Sequence, residues 1–223
     1  MPLGWNHSIV SHERDANAQV PASESISPKI LYFGTPVALI TSLNENGVPN
    51  IGPVSSAWAL GWTLVLGLET AAKTTANLGR THECVVNLVS EELHEKVEKL
   101  APLTGNNPIP KHKAEKFRYE PDKFAAVGLT ALKSDVVQVP RIGECPIQLE
   151  AIVRNFFEIG SQDERVAAGA MAIEVQVVRV HVAKELILSE HYIDPSRWRP
   201  LIYNFRHHYG LGESLDKTFR AEV

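Results

Sequence analysis

The stretch Pro36–Trp58, PVALITSLNENGVPNIGPVSSAW, decides the fold. It opens on an apolar, β-branched run, Pro36–Leu43, and turns at Asn46-Gly47. Asn-Gly between two such runs is the strongest short-range signal for a β-hairpin. The return strand is read as Val48–Trp58. A third strand follows at Trp62–Leu68, where Trp62, Leu64, Leu66 and Leu68 alternate with Thr63, Val65 and Gly67. Three strands in succession predict an antiparallel meander.

Outward from this hairpin, Thr74–Arg80 reads as a short helix with a Thr cap, and Cys84–Val89 as a fourth strand. Ser90 then caps a helix over Glu91–Leu100. Glu91 and Glu92 lie in its first turn and Lys96 and Lys99 near its end, as the helix dipole favours. Leu93, Val97 and Leu100 form its core-facing stripe. Residues 102–123 are rich in Pro and Lys and are expected as an insertion without long elements, the basic run KHKAEK being a solvated loop. Long strands are expected near Pro146–Ile159 and Ala170–Val182. In the second, Ile173, Val175 and Val177 hold the apolar phase until Val178, Val180 and Val182 take it over. A one-residue slip in a period-two pattern exchanges the faces of a strand, so a bulge is predicted near Val177 and Val178. Antiparallel strands with one or two helices at the side predict a mainly β, small closed barrel. No repeated strand–helix alternation supports a doubly wound sheet.

Composition narrows the function classes. The 223 residues contain 44% apolar and 22% charged residues, with a net charge of −4. That balance gives no basic face for nucleic acid, and no run approaches the ~18 apolar residues of a membrane helix. The first twenty residues lack the pattern of a secretory signal, so a soluble, cytoplasmic protein with one main domain is expected. Cys84 and Cys145 are far apart and the histidines are scattered, apart from the adjacent His207 and His208. No metal site is expected, and Cys84 reads as a buried thiol.

The chemistry-bearing residues cluster in two places. Asn50–Trp58 (NIGPVSSAW) sets Ser55 and Ser56 at a strand end beside Trp58, and Lys73–Asn77 (KTTAN) sets Lys73, Thr74 and Thr75 at a helix start. A helix N-terminus offers free backbone N–H groups and partial positive charge, which suits a phosphate. Asn50 and Trp58 would suit a flat heteroaromatic. The same hydroxyls also read as ordinary strand-end and capping residues.

Taken in order, NGVPNIGPVSSAW, KTTANL, ECVVNLV, DKFAAVGLT (122–130), VPRIGECPIQLE (139–150) and EVQVVRVHV (174–182) resemble the flavin reductase-like family of FMN-binding split-barrel proteins. The similarity spans roughly residues 30–190. It implies a six-stranded antiparallel Greek-key split barrel with flanking helices over 29–190, an N-terminal arm over 1–28 and a C-terminal extension over 191–223. It also implies a homodimer with FMN near the subunit interface. By position, Ser55, Ser56, Thr74 and Thr75 would bind the FMN phosphate with Lys73 nearby, and Asn50 and Trp58 would meet the ribityl chain or ring. Lys123 is a further candidate contact; Asn77 reads both as a contact and as helix structure, and Arg141 as structural. The implied activity is reduction of flavin by NADH or NADPH, by hydride transfer to flavin N5, with a monooxygenase or other electron acceptor as partner. No catalytic side chain is assigned, because the cofactor carries the chemistry. Two other readings stay open, an FMN-bound electron-transfer protein reduced by a partner and a non-catalytic flavin binder. The sequence departs from the family where a His commonly precedes the Gly-Glu-Val of the last long strand: it reads AAGAMAIEV over 167–175. His181, on the strand itself, reads as an interface or surface residue. Tyr203, Phe205, His208 and Tyr209 read as packing residues, with cover for the flavin face as the alternative.

Overall fold

The computed structural model describes residues 21–166 and 168–219; most of the expected N-terminal arm, residues 1–20, lies outside them. Residues 21–30 have no helix or strand and belong to a unit distinct from Leu31 onward.

Seven strands form the main sheet: β1 (Ala38–Leu43), β2 (Pro49–Val54), β3 (Ala57–Leu60), β4 (Thr63–Glu69), β5 (Glu83–Leu88), β6 (Ile147–Ile159) and β7 (Ala170–Val182). Their order is β2-β1-β5-β6-β7-β4-β3, with every neighbouring pair antiparallel. Among the described residues the α-helices are α1 (Lys73–Thr81), α2 (His94–Leu100) and α3 (Lys123–Val127).

The expected single strand Val48–Trp58 is broken at Ser55 and Ser56, which is why the sheet has seven strands where six were expected. Its halves, β2 and β3, lie at opposite edges of the sheet. Three Cα–Cα steps join Val54 to Ala57 and span at most ~11 Å, so the sheet must curl until its edges nearly meet. β2 and β3 do not pair there. The barrel is therefore open along this seam rather than a closed Greek key, and the serines sit in it.

The β1–β2 hairpin forms as expected. Asn44 and Val48 are joined by a backbone bond, and Gly47, at φ +79°, closes the loop by donating to Asn44 O. β1 is buried on both faces. Leu39 joins Val97, Leu100, Phe124 and Leu201 in one core, while Ile40 joins Leu66, Leu78, Val86 and Val175 in the other. This accounts for the apolar run Val37–Ile40. Leu64, Leu66 and Leu68 alternate inward as read, but Trp62 lies in the preceding turn and is 61% exposed. The predicted bulge is present: Glu150 faces Arg179 and Ala151 faces Val177, which leaves Val178 as the extra residue.

Two caps differ from expectation. α1 begins one residue early, after Ala72, and Thr74 lies within its first turn. Ser90 precedes a 3-10 turn, Glu91–Leu93, and gives no side-chain cap; α2 itself begins at His94. Val97 and Leu100 are buried, with Leu93 packed against them. The insertion docks through the buried residues 103–105, while the KHKAEK run stays solvated as read, every residue of it but Lys113 being exposed. His112 Nε2 lies 2.6 Å and Lys113 Nζ 2.7 Å from the carboxylate oxygens of Glu69 at the end of β4. The C-terminal segment also packs: Ile202–Asn204 pairs with Phe33–Pro36, and the Tyr203 ring meets those of Tyr32 and His208 edge-on.

Candidate functional site

The seam, the start of α1 and the docked insertion converge. Ala72 contributes no side-chain cap to α1, and the first turn carries no acidic residue. The first helical bond runs from Ala76 N–H to Ala72 O, so the N–H groups of Lys73, Thr74 and Thr75 have no partner within the helix. A helix start with these features is suited to an anion.

Asn50 on β2 is buried, and its Nδ2 donates to Thr74 Oγ1 at 3.2 Å. Its Oδ1 is buried with no hydrogen-bond partner. Thr74 therefore receives a bond and keeps its own hydroxyl hydrogen free. Two glycines admit this closeness. A Cβ on Gly52 would lie 2.5 Å from Thr74 Oγ1, and one on Gly105 would lie 2.7 Å from Asn50 Oδ1 and 2.9 Å from Lys73 Cγ. Lys73 Nζ pairs with Glu45 at 2.7 Å. Thr75 donates to Glu69 O at 2.8 Å, and in the seam Ser56 Oγ donates to Gly67 O at 2.6 Å. Ser55 is half-buried beside it.

Lys123, at the first turn of α3, lies behind β2 and donates to Ile51 O at 2.7 Å. Burial above all, with the nearby charge of Lys113, lowers its pKa to about 8, and Glu120 opposes the shift. A buried ammonium without a carboxylate partner is costly and marks a place where an anion would be welcome.

The remaining residues singled out from the sequence lie elsewhere or do other work. Asn77 is buried and donates at 3.0 Å to both Ser42 Oγ and Asn44 Oδ1, tying α1 to the β1–β2 hairpin. Trp58 is 60% exposed on β3. Arg141 bonds Gln148 Oε1 and Lys133 O and is structural. Cys84 and Cys145 are both buried, and burial pushes each thiol up to about 12.

His181, read from sequence as an interface or surface residue, is partly exposed and engaged within the chain. Its Nε2 lies 2.6 Å from Glu150 Oε1, and the Glu150 carboxylate has no exposed surface. Together with Asp135 these groups bring ligand-type atoms within 4.8 Å of one another. Glu150 already accepts the N–H groups of Asp135, Val136 and Val137, so the cluster serves as an anchor for that loop. Sequence reasoning also missed Gly52, Gly105, Asn106, whose Nδ2 donates to Ala71 O at 2.9 Å, and Lys113. Gly52 alone had a local signal, a glycine inside a strand.

An open barrel with serines in its seam and a helix start rich in hydroxyls defines a class. The chain belongs to the flavin reductase-like family, whose model, "Flavin reductase like domain", matches residues 30–212. This makes it a flavin-related oxidoreductase. It is 44% identical over 201 residues to the uncharacterized protein YdfE of Bacillus subtilis, covering 90% of this chain and 95% of that one. Two solved structures share the fold. A flavoredoxin of Desulfovibrio vulgaris (Miyazaki F) has TM-score 0.73 and 21% identity, over 90% of this chain and 99% of that one. Component B of nitrilotriacetate monooxygenase from Bacillus cereus has TM-score 0.71 and 22% identity, over 89% and 100%.

Proposed function

We propose that the protein binds FMN at the seam and start of α1 and reduces it with NADH or NADPH. When bound, the flavin supplies the redox chemistry, taking hydride at N5. The observation that carries the reading is the uncapped start of α1, free of acidic residues, beside Asn50, whose buried Oδ1 lacks a partner. The residues fit an anionic cofactor: Ser55 and Thr74 offer hydroxyls to a phosphate, Ser56 and Thr75 would offer theirs by giving up their bonds to Gly67 O and Glu69 O, and Lys73 and Lys123 offer charge. Gly52 and Gly105 let the backbone approach. Asn50 would meet a polar edge of the ribityl chain or ring; Asn77 holds α1 in place for this. No protein nucleophile is needed, since the protein's task is to bind, orient and exclude water.

Trp58 is assigned to the ring by way of a second copy of the chain. Trp58, Leu60 and Trp62 are exposed along the β3 edge, an apolar surface suited to a homodimer. On this reading 29–190 is the flavin-binding barrel, 191–223 braces it, and the 1–28 arm is an extension. The protein works in the cytoplasm and passes electrons to a monooxygenase or another acceptor. A second reading, an FMN-bound carrier reduced by a partner protein, is favoured by the stretch AAGAMAIEV over 167–175, which lacks the histidine that the family resemblance leads one to expect before the last long strand.

The site is tested by equilibrium titration with FMN. The double variant Ser56→Ala/Thr75→Ala is expected to bind at least tenfold more weakly than the parent, about 1.4 kcal/mol. Equal affinity would place the phosphate elsewhere.

A further inference from the structure

Helix α1 carries a glycine in its interior. Gly79 is the seventh of nine residues, a position where glycine costs ~1 kcal/mol against alanine. Close approach of a neighbour would explain it, yet a Cβ built there meets nothing within 4 Å. The open space belongs to a cleft of about 640 Å³ lined by Thr75, Gly79 and His82 on one side and by Arg154, Phe156 and Met171 on the other.

The cleft follows from strand lengths. β6 pairs with β5 only as far as Ile152 opposite Glu83, and beyond that its partner is β7. α1 borders the space that β5 leaves, held by the bond from Val153 N–H to His82 O at 2.8 Å. At this point β6 is bulged: Val153 faces Val175 and Asn155 faces Glu174, so Arg154 is the extra residue. Bulges of this kind re-aim a side chain. The Arg154 guanidinium is bonded through Nε at 2.9 Å and Nη2 at 2.6 Å to the amide oxygen of Gln176, a neutral group that orients it without cancelling its charge. Glu174 is engaged by Asn155 at 2.7 Å, and among the described residues no carboxylate lies within ion-pair distance of Arg154. The rings of Phe156 and His82, 6.3 Å apart, offer planar surfaces beside it.

We infer that this cleft binds a planar aromatic anion, its carboxylate or phosphate on Arg154 and its ring against Phe156 and His82. Gly79 stays bare to admit it. The inference rests on the flavin reading and deepens it, because Thr75 is shared by the cleft and the flavin site, and the ligand is the second substrate of the same reaction. Such an anion has two sources, the phosphorylated adenosine end of a nicotinamide donor or an aromatic acid that accepts electrons.

The test is calorimetric titration of the FMN-loaded full chain with NADP⁺ and, separately, with 2-naphthoate. One of the two is expected to saturate at one per chain; NADP⁺ assigns the cleft to the donor and naphthoate to the acceptor. Gly79→Leu, which fills the space, and Arg154→Gln are each expected to weaken that binding at least tenfold and to keep parental FMN affinity. Gly79→Leu is also expected to melt no lower than the parent, since it removes a helix glycine. Saturation by neither probe, undiminished binding in either variant, or loss of FMN from either variant overturns the inference. The parent's own FMN titration is read first and decides the flavin reading by itself, so the two failures are distinguishable.

Discussion

Glu150 shows how much one side chain can settle. Burial works against its charge, but the N–H groups of Asp135, Val137 and Val136, with His181, outweigh it and hold the pKa at about 2. The folded value lies below the unfolded one, so the stabilisation is present above about pH 4.5 and is lost as the pH falls toward 2. A displacement from 4.5 to about 2 corresponds to roughly 3 kcal/mol. Glu150→Gln, which turns an N–H₂ toward backbone donors, is expected to lose on the order of 2–3 kcal/mol at pH 7. Its stability, measured by urea unfolding, should also fall less than the parent's between pH 4.5 and 2, the remainder coming from other carboxylates with lowered pKa such as Glu144. A parental acid limb in the variant would mean that another carboxylate carries it. The role of Glu150 was not readable from sequence, because its donors lie about fifteen residues away on a loop that only folding brings back. Asn77 carries the same lesson. The motif that contains it fixes its position, but only its bonds to Ser42 and Asn44 show that it positions the helix.

At the scale of elements, local patterns were legible and closures were not. The bulge at Val178 shows in the sequence because a period-two pattern slips by one residue there. The Arg154 bulge left no such mark, since Arg154 and Asn155 are both polar and exposed. The break at Ser55 and Ser56 was hidden for a different reason: both halves are good strand, and what divides them is the curling of a sheet whose edges must meet. The KHKAEK run is solvated as read, but its tie to Glu69 was not legible, because Glu69 is forty-three residues from His112. The exposed β3 edge carries its own prediction. Unpaired apolar edges are covered in stable proteins, so the parent is expected to sediment as a dimer. Leu60→Lys, which sets a charge on that edge, should sediment as a monomer with an unchanged melting temperature. A monomeric parent, or a dimeric variant, would remove β3 from the interface.

For the whole molecule, the net charge of −4 sits easily with an anionic cofactor, because charge is placed locally. Lys73 lies at the start of α1 and Lys123 is buried behind β2, and on the proposed reading hydroxyls and backbone supply the other contacts. Among the described residues no helix is long and apolar enough to cross a membrane. The barrel interior is filled by Ile40, Leu66, Leu78, Val86 and Val175, which agrees with the proposal of a flavin at the seam and surface, within reach of a second substrate. The account's central claim is reduction of that flavin by a nicotinamide. The measurement is anaerobic rapid mixing of the FMN-loaded protein with NADH and with NADPH, followed through the flavin absorbance. The account predicts bleaching by at least one of them at the rate of turnover; an unchanged spectrum with both would contradict it and leave a carrier reduced by a partner protein.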